Sequence, residues 1–502
     1  MKFTWITMTI NSRKRTVHVN QSRRTFCIYS GAYMRLRVVP SLVIATLLLA
    51  VLPLRAQHKG KVQLWLTTAD RSSLFAEQPG QLHFQKKGSN NPAIDVDDKQ
   101  SFQQIDGFGF ALTGGSAQLI MRMDTAQRSS LLKELFATGK GDIGVSYLRV
   151  SIGSSDMNDH AFTYDDLKPG ETDTALAQFS FGPDRTSVIP VLKEILAINP
   201  KIKILGSPWS APAWMKTNDN LKAGSLKPEY YDIYAQYLVK YIQGMKAEGI
   251  TIDAITPQNE PLNPYNTPSM VMQATDEAAF IGQSLGPAFQ KAGIKTKIIV
   301  YDHNCDRPDY PLTILNDAKT AEYVDGSGFH LYGGEITAMS KVHDAHPDKN
   351  LYFTEQMVVD RPNSTQLDIA SPVSRLIIGA TRNWSRNVLL WNLAADPEFG
   401  PHTNNGGCPV CEGAITLNGN DVTRNVAYYT VAHASKFVRP GSVRVASNLL
   451  EGLPNVAFKT PDGKRVLIVA NDGNTAQTFE IHYHGKSAIS SLKAGSVGTY
   501  VW

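Results

Sequence analysis

Lys203-Ile-Leu-Gly-Ser-Pro-Trp209 is a short apolar run of strand length that opens into an aromatic residue. Just before it, Val188–Ile198 carries the spacing of an amphipathic helix. The same alternation recurs along the chain. Strands are predicted at Gln104–Leu112, Val145–Ile152, Lys203–Trp209, Ala254–Glu260, Lys297–Asp302, Gly328–Tyr332, Leu351–Gln356 and Asn387–Leu393. Helical patterns fall between them, among them Ser129–Ala137, Val188–Ile198, Pro228–Ala247 and Asp276–Ala292. Eight strand–helix units of this length predict an α/β fold, a (β/α)₈ TIM barrel, over residues 101–420.

The flanks read differently. Val62–Leu66 and Leu82–Phe84 alternate as short strands, as do Val466–Val469, Phe479–Tyr483 and Gly498–Trp502. Turn signals such as Pro461-Asp-Gly463 and Asn471-Asp-Gly473 separate them. Residues 57–100 and 421–502 are therefore expected to join in one antiparallel β-sandwich beside the barrel.

The 502 residues are 19% charged and 42% hydrophobic, which is globular composition. Four cysteines are too few for a disulfide scaffold. The net charge of +5 is misleading, because residues 1–56 hold nine Lys or Arg and no acid. Without that segment the charge is −4, and a nucleic-acid reading disappears. Met34-Arg-Leu-Arg37, the apolar run Val38–Leu54 and the small Ala56 have the anatomy of a secretory signal peptide. Met34 is the expected start and Gln57 the expected mature residue, so residues 1–56 form a targeting region. The expected location is secreted or periplasmic, with no stable membrane anchor once the segment is cleaved. Cys408-Pro-Val-Cys411 lies in a Gly/Asn-rich stretch and reads as a loop-tying disulfide rather than a redox motif. Metal sites and cofactors are not expected.

In such barrels the chemistry sits at the C-terminal ends of the strands. Those ends supply Arg149 with Asp156 beyond it, Trp209, Asn259-Glu260, His330 and Tyr332, Glu355, and Trp391. Two carboxylates among Trp, Tyr, His and Asn describe a sugar site: aromatic faces cover pyranose C–H groups, and amides and acids take hydroxyls. Glycoside cleavage needs one protonated carboxyl to donate to the leaving oxygen and one ionised carboxylate. Glu260 and Glu355 are that pair. A separation near ~5 Å would give retention of configuration.

The chain resembles glycoside hydrolase family 30, which includes glucosylceramidases and β-1,6-glucanases. The strings that carry the resemblance are Ile105-Asp-Gly-Phe-Gly109, Tyr147-Leu-Arg-Val150, Ser207–Asn218, Pro257-Gln-Asn-Glu-Pro261, Phe329-His-Leu-Tyr332, Phe353-Thr-Glu355 and Trp391-Asn-Leu-Ala394. The resemblance implies Glu260 as acid/base, Glu355 as nucleophile, and no metal. It puts Asp156, Trp209, Asn259, His330, Tyr332 and Trp391 around the substrate, with Arg149 as electrostatic partner. Asn259 would meet the sugar 2-hydroxyl. Tyr332 would keep Glu355 ionised, while Glu260 would need a raised pKa.

Two departures from the glucosylceramidase pattern speak against a ceramide-binding mouth, while the Phe110–Ser116 run and the Cys408–Cys411 loop resemble the bacterial β-1,6-glucanase branch. Thr113 is followed by Gly-Gly-Ser, and the segment after Asn-Glu-Pro is short, Leu262–Ser269. The expected substrate is β-1,6-glucan, with glucosylceramide or another β-glucoside as the alternative, and a monomer as the working form. A xylanase reading within the family expects a carboxylate-binding Arg in the site's loops, and the sequence offers none that is identifiable.

Overall fold

The computed structural model describes residues 60–80, 82–86, 89–360 and 364–502, so the expected targeting segment lies outside the described residues. Eight parallel strands close into a barrel: β1 (Gly107–Leu112), β2 (Tyr147–Ser151), β3 (Lys203–Ser207), β4 (Ala254–Ile255), β5 (Lys297–Cys305), β6 (Val324–Gly334), β7 (Asn350–Glu355) and β8 (Ser385–Asn392). β8 pairs back onto β1, with Asn387 opposite Gly107. The strands are covered on both faces, which is why they read as continuous apolar runs.

The interior is a packed plug of Tyr147, Leu205, Ala254, Ile299, Tyr352 and Leu389. The strand period of two puts the residues two positions on over the same inward face, one layer nearer the mouth. Those residues are Arg149, Ser207, Thr256, Thr354 and Trp391. β5 breaks this rule. Its register shifts between Tyr301 and His303, and Tyr301 and Asp302 have φ of 77° and 52°. The bulge turns Asp302 inward where strict alternation would place a tyrosine.

Most helices stand where the periodicity puts them. Val188–Ile198 matches its prediction, and Tyr231–Ala247 follows a 3₁₀ turn at Pro228–Tyr230. The helix predicted over Asp276–Ala292 is instead two α segments, Ala274–Phe280 and Gly286–Ala292, joined by a π turn at Ile281–Leu285. Pro287 has no N–H for the regular ladder, and the wider turn absorbs the missing bond.

The flanks meet in one sheet. Lys61–Thr67 pairs antiparallel with Val497–Val501. The twelve-residue strand Ala93–Gln104 joins the two layers, antiparallel to Val443–Ser447 at one end and parallel to Gln477–Tyr483 at the other. The antiparallel sandwich expected from the flanks is present, with one parallel pair in it: a strand long enough to change sheets brings its far end alongside a neighbour running the same way. The stretch expected as strands also holds a helix, Val426–Ser435, with all ten residues buried. Its His433 bridges the flanking strands through Thr67 Oγ1 at 2.8 Å and Thr499 Oγ1 at 2.9 Å. Among the described residues no helix is long and apolar enough to cross a membrane.

Candidate active site

A cavity of about 580 Å³ opens at the C-terminal ends of the strands, lined by Asp156, Trp209, Glu260, Tyr332, Glu355 and Trp391 among others. Oxygens of Glu260 and Glu355 and a nitrogen of His330 lie within 4.8 Å of one another. Glu355 ends β7, where the pairing with β6 shifts register between Phe329 and His330, so that Glu355 follows the inward Thr354 and still lines the mouth. Glu260 follows the two-residue β4 on an irregular segment, in the left-handed region at φ 42°. A non-glycine residue held there marks a backbone that its surroundings over-determine. Its N–H donates to the Asp302 carbonyl at 3.0 Å.

Beneath the carboxylates lies a charged layer with Arg149 at its centre. The wholly buried guanidinium donates to Glu355 Oε2 at 2.6 Å, Asn259 Oδ1 at 2.6 Å and Asp302 Oδ2 at 2.7 Å. Its upper face sits 4.8 Å from the Trp209 ring centre, and Trp209 lies 5.4 Å from Trp391. Asp302 is equally buried and accepts from Ser207 Oγ (2.7 Å), Thr256 Oγ1 (2.9 Å) and Thr354 Oγ1 (2.6 Å). His330 bridges the acids, with Nε2 3.0 Å from Asp302 and Nδ1 3.1 Å from Glu260 Oε1. Tyr332 Oη donates to Glu355 Oε1 at 3.0 Å.

Burial alone would drive these groups neutral; the pairing decides otherwise. Burial pushes Asp302 up, but the charges of Arg149 and His330 outweigh it and hold it well below the carboxylate range. Burial pushes His330 down, and Glu355, Asp302 and Glu260 overcome this and raise it to about 9. Glu355 is raised, by burial first, against the opposing pulls of His330 and Arg149. Glu260 is lowered, because the hydrogen bond and charge of His330 exceed the cost of its burial. Asp156 goes up to about 8, because burial and the charges of Glu355 and Glu260 outweigh the pull of Arg149.

This tilt corrects the expectation for the free site. The sequence reading gives Glu260 the raised pKa; the hydrogen bond from His330 gives it the lowered one. His330 Nδ1 and Glu260 Oε1 lie 3.1 Å apart, a distance across which one proton can pass between them. While it sits on Nδ1, Glu260 is ionised; once it crosses to Oε1, Glu260 is a carboxylic acid and His330 a neutral imidazole donating Nε2–H to Asp302. The trio's spacing also resembles a metal site, but a divalent ion would have to displace that proton, since imidazole ligates in its neutral form.

The structure brings the sequence-selected residues together, with adjustments. Asp156, Trp209, Tyr332 and Trp391 line the cavity. His330 and Asn259 do not: both ring nitrogens of His330 are occupied, and Arg149 holds the Asn259 carbonyl oxygen. Trp214 is buried in the core against Tyr230, its indole N–H on the Asp165 carbonyl at 3.1 Å. His160 is exposed as expected, whereas His343 stacks on Trp384 at 3.7 Å. Cys305 is a buried free thiol, and Cys408 and Cys411 form a disulfide at the cavity edge. An arginine does reach the loops: Arg307 lines the cavity, with its guanidinium against Asp309 at 2.8 Å. Asp302 is the principal residue that the sequence reading missed. Its signal was an acid at the end of an apolar run, Ile298–Tyr301.

Comparison with known proteins agrees with this geometry. The model described as "Glycosyl hydrolase family 30 TIM-barrel domain" matches residues 105–438, and the "Glycosyl hydrolase family 30 beta sandwich domain" matches 441–500. An endo-1,6-beta-D-glucanase of Aspergillus fumigatus is 34% identical over 449 residues, 83% of this chain and 90% of that protein. The mouse lysosomal acid glucosylceramidase is 28% identical over 432 residues, 80% of this chain and 82% of that protein. The solved structure of the endo-beta1,6-glucanase BT3312 superposes with a TM-score of 0.80 at 33% identity, covering 88% of this chain and 99% of that one.

Proposed function

Because the chain belongs to glycosyl hydrolase family 30, we propose that it is a retaining endo-β-1,6-glucanase in which Glu355 is the nucleophile and Glu260 the acid/base. The observation that carries this reading is the approach of the two carboxylates to within 4.8 Å across the barrel mouth. Retaining enzymes hold theirs about 5 Å apart, whereas inverting ones need roughly 6.5–9.5 Å to admit a water. The substrate follows from the more similar relatives, which are named for β-1,6-glucan.

The mechanism uses the charged layer directly. Glucan in the cavity displaces water and brings the glycosidic oxygen to Glu260. The shared proton then passes from His330 Nδ1 to Glu260 and on to the leaving oxygen. Glu355 attacks the anomeric carbon, forming the glycosyl ester as the C–O bond breaks. Arg149 and Tyr332 hold the carboxylate in line for attack. Asp302 balances Arg149 and supports His330 as its charge changes. Glu260, now ionised, takes a proton from water, and the hydroxide oxygen attacks the anomeric carbon and releases Glu355. Trp209 and Trp391 form the apolar floor for the sugar, and Asp156, largely protonated at neutral pH, offers its hydroxyls a partner. We place this action outside the cytoplasm, on the basis of the Met34–Ala56 anatomy and a disulfide at the site.

The test is a product profile. The protein and its Glu355→Gln variant are incubated with β-1,6-glucan and with glucosylceramide. Gentio-oligosaccharides from the glucan, absent with the variant, are expected. Glucose and ceramide from the lipid, with the glucan untouched, would make the chain a glucosylceramidase instead.

A further inference from the structure

The wall of the cavity on the Glu260 side carries an aromatic side chain that the chemistry above leaves unused. Tyr265 is 77% exposed, the most exposed large hydrophobic side chain among the described residues, and it lines the cavity. Its backbone is nevertheless tied down. Asn263, two residues earlier, donates to Glu260 Oε2 at 2.7 Å and accepts from the Tyr265 N–H at 3.0 Å. Thr267 donates its N–H to the Gly406 carbonyl at 3.2 Å, and Thr403 Oγ1 donates to the Thr267 carbonyl at 2.8 Å.

Those partners lie in the 401–411 segment, whose far end carries the Cys408–Cys411 disulfide. Gly406 has φ of 101°, and a Cβ there would come within 2.4 Å of the Tyr265 carbonyl oxygen. Only glycine allows this approach. At its other end the segment reaches the sugar floor, where Cys411 packs with Trp209 and Trp391. One continuous segment thus touches both the floor under the cleaved sugar, through Cys411, and the wall beyond the proton donor, through Thr403 and Gly406.

We propose that Tyr265 is the platform for the sugar on the leaving-group side of the scissile bond, held in place by the 401–411 loop acting as a clasp. The side follows from Glu260. The acid protonates the leaving oxygen, and Tyr265 sits on the loop whose Asn263 holds that acid. The ligand class is a pyranose presenting an apolar C–H face to a phenol ring. This inference rests on the β-glucan reading of the site.

The experiment compares kcat/KM for a β-1,6-linked gluco-oligosaccharide and for β-glucosyl fluoride, whose leaving group puts no sugar on that side. Tyr265→Ala lowers the oligosaccharide/fluoride ratio about tenfold, the scale of a lost aromatic contact. Tyr265→Trp restores it to within about threefold, because the face and not the hydroxyl is used. Gly406→Ala, which keeps Tyr265 but forces its carbonyl away, lowers the ratio in the same direction. An unchanged ratio in Tyr265→Ala, an equal fall on both substrates, or failure of the Trp variant to restore it overturns the platform. An unchanged ratio in Gly406→Ala overturns the clasp. Wild-type protein inert on both substrates overturns the reading of the site itself, and the platform with it.

Discussion

Asp302 never touches the cavity, yet replacing it tests the whole charge arrangement. Asp302→Asn keeps the size but only one accepting oxygen, so either the Thr354 and His330 side or the Ser207 and Arg149 side meets an NH₂ group, and it removes one negative charge from between Arg149 at 2.7 Å and His330 at 3.0 Å. A hydrogen bond to a charged group contributes about 1.5–3 kcal/mol. At 1.36 kcal/mol per pKa unit, losing the His330 contact lowers the proton affinity of that ring by about one to two units. The sign follows from the proton count. The site is active while His330 and Glu260 share a proton and fails as pH rises and removes it. The alkaline limb of kcat/KM against pH therefore moves to lower pH by about one to two units in the variant. The assay is a pH series on an aryl β-glucoside, with circular dichroism to establish that the fold is retained. Folding stability also falls, by about 3–5 kcal/mol, because Arg149 is left buried with a partner missing. A folded variant whose alkaline limb coincides with that of the wild type would refute the proton-sharing account.

Glu260→Ala removes the proton donor but leaves the nucleophile, so it retains slow turnover of aryl glucosides with good leaving groups. Azide accelerates it and yields β-glucosyl azide; an α product would exclude double displacement. His433, held neutral to about pH 3 by burial, makes the fold acid-sensitive. Its folded pKa lies below its unfolded one, so stability is full above ~6.5 and is lost at about 1.4 kcal/mol per pH unit below it. Urea unfolding at pH 7 and pH 5 is expected to show this slope, and His433→Gln to reduce it; an equal slope in the variant counts against the assignment. Burial pushes the Cys305 thiol up to about 12, so a thiol reagent labels it only after denaturation. Rapid labelling of the native protein would contradict its buried placement.

The parts of this glycosidase that follow a period were legible in the sequence. Eight apolar runs gave eight barrel strands, and the residues at their ends gave Glu260, Glu355, Trp209 and Trp391. What was not legible depends on breaks in the period. Asp302 faces inward only because β5 bulges at Tyr301, and no pattern of residue types announces a register shift. The Val426–Ser435 helix escaped because it is buried on every side, with even Thr430, His433 and Ser435 bonded inside the protein, and so lacks the solvent-facing polar stripe that marks a surface helix. The direction of the Glu260 shift depends on His330, seventy residues away in sequence and adjacent only in space.

The pairing of Lys61–Thr67 with Val497–Val501 has a consequence for how the chain is made. During synthesis the first of these strands emerges with its edge open, and its partner arrives only after the entire barrel has been translated. Until then Val62-Gln-Leu-Trp-Leu66 is an unpaired apolar edge, the kind of segment that recruits a neighbouring chain. The sheet thus acts as a checkpoint on synthesis: it closes only once Val497–Val501 has been made. Chains truncated before Val497 are expected to be held by chaperones or to aggregate, even though every residue of the catalytic mouth is already in place.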